Sequence, residues 1–150
     1  MLLKRIKPLA FLVFILYLAL LFYLLFFSAY RNGVQGIVDY NLIPFKTINR
    51  YFHYSFQPGL SMVTDEFFGN ILAFLPFGFF LPFLFAKVKS TGLAAGWTFL
   101  LSLTVEIAQF IFRVGAFDVD DLILNTIGGS IGYSIWYIFL RKTLLDPRKE

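Results

Sequence analysis

Four stretches of the chain stay apolar long enough to cross a hydrocarbon layer: Pro8–Phe27, Phe67–Ala86, Gly92–Phe112 and Leu122–Leu140. A helix needs about 20 apolar residues for the crossing, at a rise of about 1.5 Å each. The pattern predicts an all-α integral membrane protein, a four-transmembrane-helix bundle built as one domain over residues 1–150. The first stretch exceeds the roughly 7–15 apolar residues of a signal peptide, and no small-x-small cleavage site follows, so it is expected to remain as an anchor.

One long connection, residues 28–66, separates the first two spans. Within it, NLIPFKTINRYFHYSFQPG begins at Asn41, places Pro44 near a first helical turn and stops at Pro58-Gly59. Lys46, Arg50 and His53 recur at i, i+4 and i+7, while Phe45, Ile48, Phe52 and Phe56 occupy another face. A short amphipathic interfacial helix is expected there, with aromatics in the bilayer interface and cations toward headgroups. The second span carries Pro76 and Pro82, which each remove a backbone donor, and Gly78, which permits close approach. In the fourth, Asn125, Gly128, Gly129 and Gly132 lie near one stripe, and small residues let helices pack tightly in lipid. Trp136 and Tyr137 are expected as anchors at the inner interface. DEFFGN (Asp65–Asn70) and DDLILN (Asp120–Asn125) share an order of acids and asparagine, which suggests a duplicated hairpin.

Composition agrees with the hydropathy pattern: 59% of residues are hydrophobic and 21 are phenylalanine, with a mean hydropathy of +0.75. Charge sets the orientation. Lys4, Arg5, Lys7, Lys87, Lys89, Arg141, Lys142, Arg148 and Lys149, nine of the 13 basic residues, fall on one side of the predicted spans. The positive-inside rule makes that side the cytoplasm, with both termini cytoplasmic and the long loop extracytoplasmic. The net charge of +4 is thus an orientation signal rather than a nucleic-acid footprint. Without cysteine there are no disulfides or thiolate metal sites, and a single histidine, His53, argues against an imidazole metal site.

The outer ends of the spans gather the remaining chemistry. Ser102, Glu106, Gln109 and Arg113 sit at offsets of 0, 4, 7 and 11, one face of an ideal helix, with Glu106 roughly 10 Å inside Arg113. A carboxylate at that depth faces a bundle interior or an aqueous cavity. Asn70, Asp120 or Asp121, and Asn125 fall at the same level on other spans, so one outward-opening pocket can contain them all. Carboxylates, amides and an arginine can transfer protons, hold a hydrated divalent cation through oxygen, or grip phosphate. The spacing carries no metal signature and fixes neither metal nor cofactor. Structural roles compete: Glu106 can join helices through Arg113 or Gln109, and Asp118 can cap the fourth span with Asp121 supporting the positive helix end.

In NLIPF (Asn41–Phe45), GNILAFLPFGFFLP (Gly69–Pro82), SLTVEIAQ (Ser102–Gln109) and FDVDDLILNTIGGSIGY (Phe117–Tyr133), the chain resembles the VanZ-like family of small membrane proteins. The family is named for an accessory protein of glycopeptide resistance. The resemblance covers Asn41 to Tyr133 and implies a cell-envelope protein of the cytoplasmic membrane of a Gram-positive bacterium, with lowered susceptibility to teicoplanin-like antibiotics. Carried over motif by motif, Glu106 and Asp121 become candidate catalytic residues, and Asn70, Gln109, Arg113, Asp118 and Asn125 candidate ligand-binding residues. Three functions compete. The leading one is binding or modification of an anionic envelope component, a lipid-linked cell-wall precursor or a membrane lipid headgroup. The others are a non-enzymatic partner whose glycine-lined fourth span docks onto an envelope enzyme or transporter, and a small ion-coupled transporter that uses Glu106.

Overall fold

The computed structural model describes residues 2–28, 36, 39–54 and 61–141, excepting the side chains of 2–5, 54, 61–66 and 141. Phe56, the Pro58-Gly59 stop, the side chains of Asp65 and Glu66 and the basic tail after Arg141 therefore lie outside the described residues, and with them half of the proposed duplication. Over the described residues the chain forms five helices: α1 (Leu2–Phe27), α2 (Lys46–Tyr54), α3 (Ser61–Leu84), α4 (Thr91–Phe112) and α5 (Val119–Ile135), the last continuing into a π-helical turn, Trp136–Arg141. All but α2 are long and apolar enough to cross a membrane. Two short strands, β1 (Tyr40–Asn41) and β2 (Phe117–Asp118), pair in parallel, Tyr40 opposite Phe117 and Asn41 opposite Asp118. No sequence pattern predicts this pairing, because two residues are too few to display a period.

The helix limits have local causes. α3 runs through both prolines and ends at Leu84, two residues before the predicted limit. There the Phe85 N–H still reaches the Leu81 carbonyl, and the Val88 N–H closes a turn on Phe85. Pro76 leaves the carbonyl of Leu72 without its amide. One residue on, the Tyr17 hydroxyl of α1 donates to the Ala73 carbonyl at 2.7 Å. Ser90 caps α4 by accepting from the Leu93 N–H, and Asp118 caps α5, which starts three residues earlier than its apolar run.

α3 and α5 make the closest crossing. A Cβ added to Gly78 would overlap the Gly129 backbone, one on Gly128 the Ile71 carbonyl, and one on Gly132 the backbone at Leu75 and Phe79. Gly129 also meets the Thr98 side chain of α4, so three helices converge at a position that holds only a hydrogen. The glycine stripe of α5 is consumed inside the fold. That corrects the expectation that it offers a docking face for another protein.

Two apolar clusters fill the bundle. One gathers Ala10, Phe14, Phe77, Leu81, Phe83, Val88, Ala94, Tyr133 and Trp136, and the other Leu21, Leu25, Phe74 and Val105, nearer α2. Trp136 is corrected here from interface anchor to core residue, its ring edge-on to Phe83; Tyr137 next to it stays exposed. The π-helical turn begins at Trp136.

The packing makes a graded prediction. Gly129→Leu should destabilise the protein by about 3 kcal/mol or more, through overpacking against backbone that cannot retreat. Gly96→Ala, where an added Cβ meets nothing within 4 Å, should leave it unchanged or stabilise it by about 1 kcal/mol. Thermal unfolding in detergent distinguishes the two; equal melting temperatures would contradict the crossing.

Candidate functional site

The polar end of the bundle is assembled around the start of α5. Asp120 is fully buried (0% exposed), and its carboxylate accepts from three backbone N–H groups at the beginning of α2: Phe45, Thr47 at 2.6 Å and Ile48 at 3.2 Å. Phe45 adopts a left-handed conformation (φ 67°), which turns its N–H toward the same carboxylate. A helix N-terminus has donors without intrahelical partners and a partial positive charge. Asp120 supplies both the acceptors and the opposite charge.

Asp118 completes the junction. One of its oxygens accepts from its own Asp120 N–H and from Asn41 Nδ2 (2.9 Å), and the other from Thr47 Oγ1 (2.8 Å). Its backbone N–H donates to Glu106 Oε2 at 3.0 Å, tying α4 to the cap of α5. The capping role weighed for Asp118 is therefore real. α2 is held a second time by Tyr51, which stacks on Phe67 at the start of the α3 span (ring centroids 4.3 Å apart, interplanar angle 9°). Thr47, Ile48 and Tyr51 form its inner face, whereas Phe45 and Phe52, expected together with Ile48, are exposed. The helix phase is set by the junction, which turns Tyr51 inward.

Deeper in the bundle Asp121 accepts from Asn70 Nδ2 of α3. Asn125, one turn along α5, donates from Nδ2 to Ser102 Oγ of α4 at 2.8 Å. Gln109 donates from Nε2 to the Leu25 carbonyl of α1 at 2.8 Å. Glu106, Gln109 and Asn125 are 2%, 1% and 2% exposed, so their environment is protein and not lipid. The carbonyl oxygens Gln109 Oε1 and Asn125 Oδ1 are buried without a hydrogen-bond donor. A buried acceptor left unmade costs roughly 1–3 kcal/mol, and in a native structure such a group marks strain, an unrecorded ligand or a functional demand.

Arg113 departs from its predicted face. α4 ends at Phe112, and Arg113 takes a left-handed conformation (φ 55°, ψ 40°), with the Arg113 N–H on the Phe110 carbonyl and the Val114 N–H on the Gln109 carbonyl. This break in helical periodicity carries the side chain out of the Ser102–Glu106–Gln109 stripe into an exposed position. Among the described residues, no three carboxylate or imidazole groups converge as a metal site.

A multi-span helical membrane protein with a buried cluster of carboxylates and amides at one end of its bundle is the class these features define. A family model described as VanZ/LLP1 matches residues 14–140, and the chain belongs to that family. Protein VanZ of Enterococcus faecium is 34% identical over 128 residues, covering 81% of this chain and 69% of that relative. No solved structure matches the chain.

Of the residues singled out from sequence, Asn70 meets Asp121, and Glu106 meets the backbone of Asp118; Asn125 and Gln109 bind Ser102 and α1 instead. Asp120, weighed there only as an alternative to Asp121, is the residue that fixes α2, helped by Asn41 and Thr47. The available signal was the Asp-x-Asp pair at the head of a helix, together with a Pro-Phe turn whose amides need an acceptor.

Asp120→Asn replaces one acceptor oxygen with an NH2 that faces backbone N–H groups. It should cost about 1–3 kcal/mol and release α2. Asp118→Asn, an equally good cap, should cost less than about 1 kcal/mol. Melting temperature and protease cleavage within residues 46–54 give the readout; an Asp120→Asn chain with native melting and native resistance would refute the clamp.

Proposed function

We propose that the protein works in a bacterial cytoplasmic membrane, both termini cytoplasmic and the α2 end outward, where it binds or modifies an anionic envelope component and lowers susceptibility to teicoplanin-like glycopeptides. The component is a lipid-linked cell-wall precursor or a lipid headgroup. One observation carries this reading: Glu106 is a carboxylate buried within a membrane-spanning bundle, next to the junction that presents exposed Lys46, Arg50 and Arg113. Intramembrane carboxylates cost about 3 kcal/mol to insert and are kept for function by default.

In this reading the exposed cations draw phosphate or carboxylate groups to the mouth of the site. Glu106 and Asp121 serve beneath them, as base or as cation ligands, oriented by Asp118 and Asn70. Membership of the VanZ/LLP1 family supports the envelope role. The basic residues of the α3–α4 link support the orientation.

Glu106→Gln retains an oxygen for the Asp118 N–H while removing the charge, and Arg113→Gly removes the guanidinium from a left-handed position that glycine favours. Neither change should unfold the bundle. In a teicoplanin-sensitive Gram-positive host, the native chain should raise the inhibitory concentration several-fold; Glu106→Gln should abolish the increase and Arg113→Gly reduce it, at equal membrane levels by blot. Full protection by both variants would remove the site from the function.

A further inference from the structure

We infer that residues 40–52 and the start of α3 form a shelf seated in the bilayer interface, its apolar side chains among the acyl chains and Lys46 and Arg50 on the phosphates of anionic phospholipid. The inference rests on the reading above, in which cations of the α2 end meet an anion, and it assigns that anion to lipid of the surrounding leaflet.

Two contacts fix the depth of this shelf. β1 pairs with β2, which leads directly into the apolar span of α5, so Tyr40 and Asn41 lie level with the end of that span. At its other end Tyr51 stacks on Phe67, and Phe52 stands edge-on to the same ring at 6.1 Å. Phe67 opens the apolar stretch of α3, directly after Asp65 and Glu66 in the sequence. Phe68 beside it is edge-on to Tyr51 at 5.9 Å. The segment therefore sits where two spans leave the hydrocarbon, the boundary at which aromatic side chains collect.

What the shelf exposes is apolar. Tyr40, Leu42, Ile43, Phe45, Phe52 and Phe68 are each between 47% and 64% exposed, and only Phe45 and Phe52 belong to the amphipathic face expected from sequence. The remainder comes from β1, from the turn ahead of α2 and from the first turns of the α3 span. So many large apolar side chains gathered outside the spans mark a surface that is covered. At the level where the spans end, lipid is the partner that meets it first.

Charge selects the kind of lipid. Residues 40–54 include Lys46 and Arg50 and no acid. The two cations are four apart on α2, hence on one side of it, and both are exposed. The preceding acid, Asp39, is exposed and accepts from the Tyr40 N–H. The first amides of α2 are taken by Asp120, so the segment offers an anion its side chains rather than its helix end. Long basic side chains lay their stems on apolar surface and extend the charge to a headgroup, the arrangement that a phosphate above acyl chains requires.

The chain lacks cysteine, so single-cysteine variants each carry one label at a chosen place. Leu42→Cys, Ile43→Cys and Phe52→Cys probe the shelf; Asn49→Cys and His53→Cys probe the polar side of α2, which they share with Lys46 and Arg50. Each full-length variant, checked for helical content and monodispersity, is nitroxide-labelled and reconstituted into vesicles of phosphatidylglycerol and phosphatidylcholine. Power-saturation electron paramagnetic resonance should show the shelf labels colliding with oxygen more than with a water-soluble nickel chelate, and the polar-side labels the reverse. A bimane on Leu42→Cys should be quenched more by dibrominated phosphatidylglycerol than by dibrominated phosphatidylcholine, each at low mole fraction. The double change Lys46→Gln/Arg50→Gln should lower that preference about 5-fold or more. Shelf labels as open to nickel as those at Asn49 and His53 overturn the inference, and dipolar broadening between chains overturns it by seating a second copy on the shelf. Equal quenching by the two lipids, or a preference that survives the double change, overturns the assignment to anionic phospholipid. Each of these failures leaves the inhibitory-concentration test of the proposed function standing.

Discussion

The carboxylate of Asp120 fixes everything at the polar end of the bundle. Buried completely, it would be untenable as an isolated charge. Three backbone N–H groups from the start of α2, 72 to 75 residues away in sequence, make it tenable. Those amides have no partners within their own helix, so one contact resolves two unsatisfied ends. With α2 seated, Thr47 and Asn41 reach Asp118, β1 aligns with β2, and Asp118 turns its N–H toward Glu106. The site is a consequence of closing a helix end.

The other constraint is steric. Lipid gives helices little hydrophobic reason to associate, so they gain from contact area and from hydrogen bonds made across the interface. Gly78, Gly128, Gly129 and Gly132 bring α3 and α5 together with α4 seated against the same crossing. That closeness puts Asn70 beside Asp121 and Asn125 beside Ser102. Glycine packing below and amide bridges above belong to one interface.

The result separates charge by depth. Exposed lysine and arginine side chains rim the α2 end, whereas the described buried layer contains carboxylates and amide carbonyls. The exposed cations of this rim are the groups that the proposed anionic ligand would meet first.

Hydropathy by itself determined the four crossings, because each depends on composition over a span long enough to average out single residues. Glycine spacing disclosed the close face of α5, and the Glu106 stripe was legible as far as Gln109, since both follow helical periodicity. That periodicity failed at Arg113: the helix ends at Phe112 and Arg113 itself takes the left-handed conformation, for which arginine carries no local signal. It was also silent on Tyr51 of α2, which stacks on Phe67, and misplaced Trp136, whose burial comes from neighbours on other helices. Above all, the division of labour among Asp118, Asp120 and Asp121 belongs to tertiary structure. Their local sequence is nearly uniform, and what separates them is the partner each meets: the amides of a distant helix for Asp120, a backbone cap and the α2 hydroxyl for Asp118, and an asparagine of α3 for Asp121.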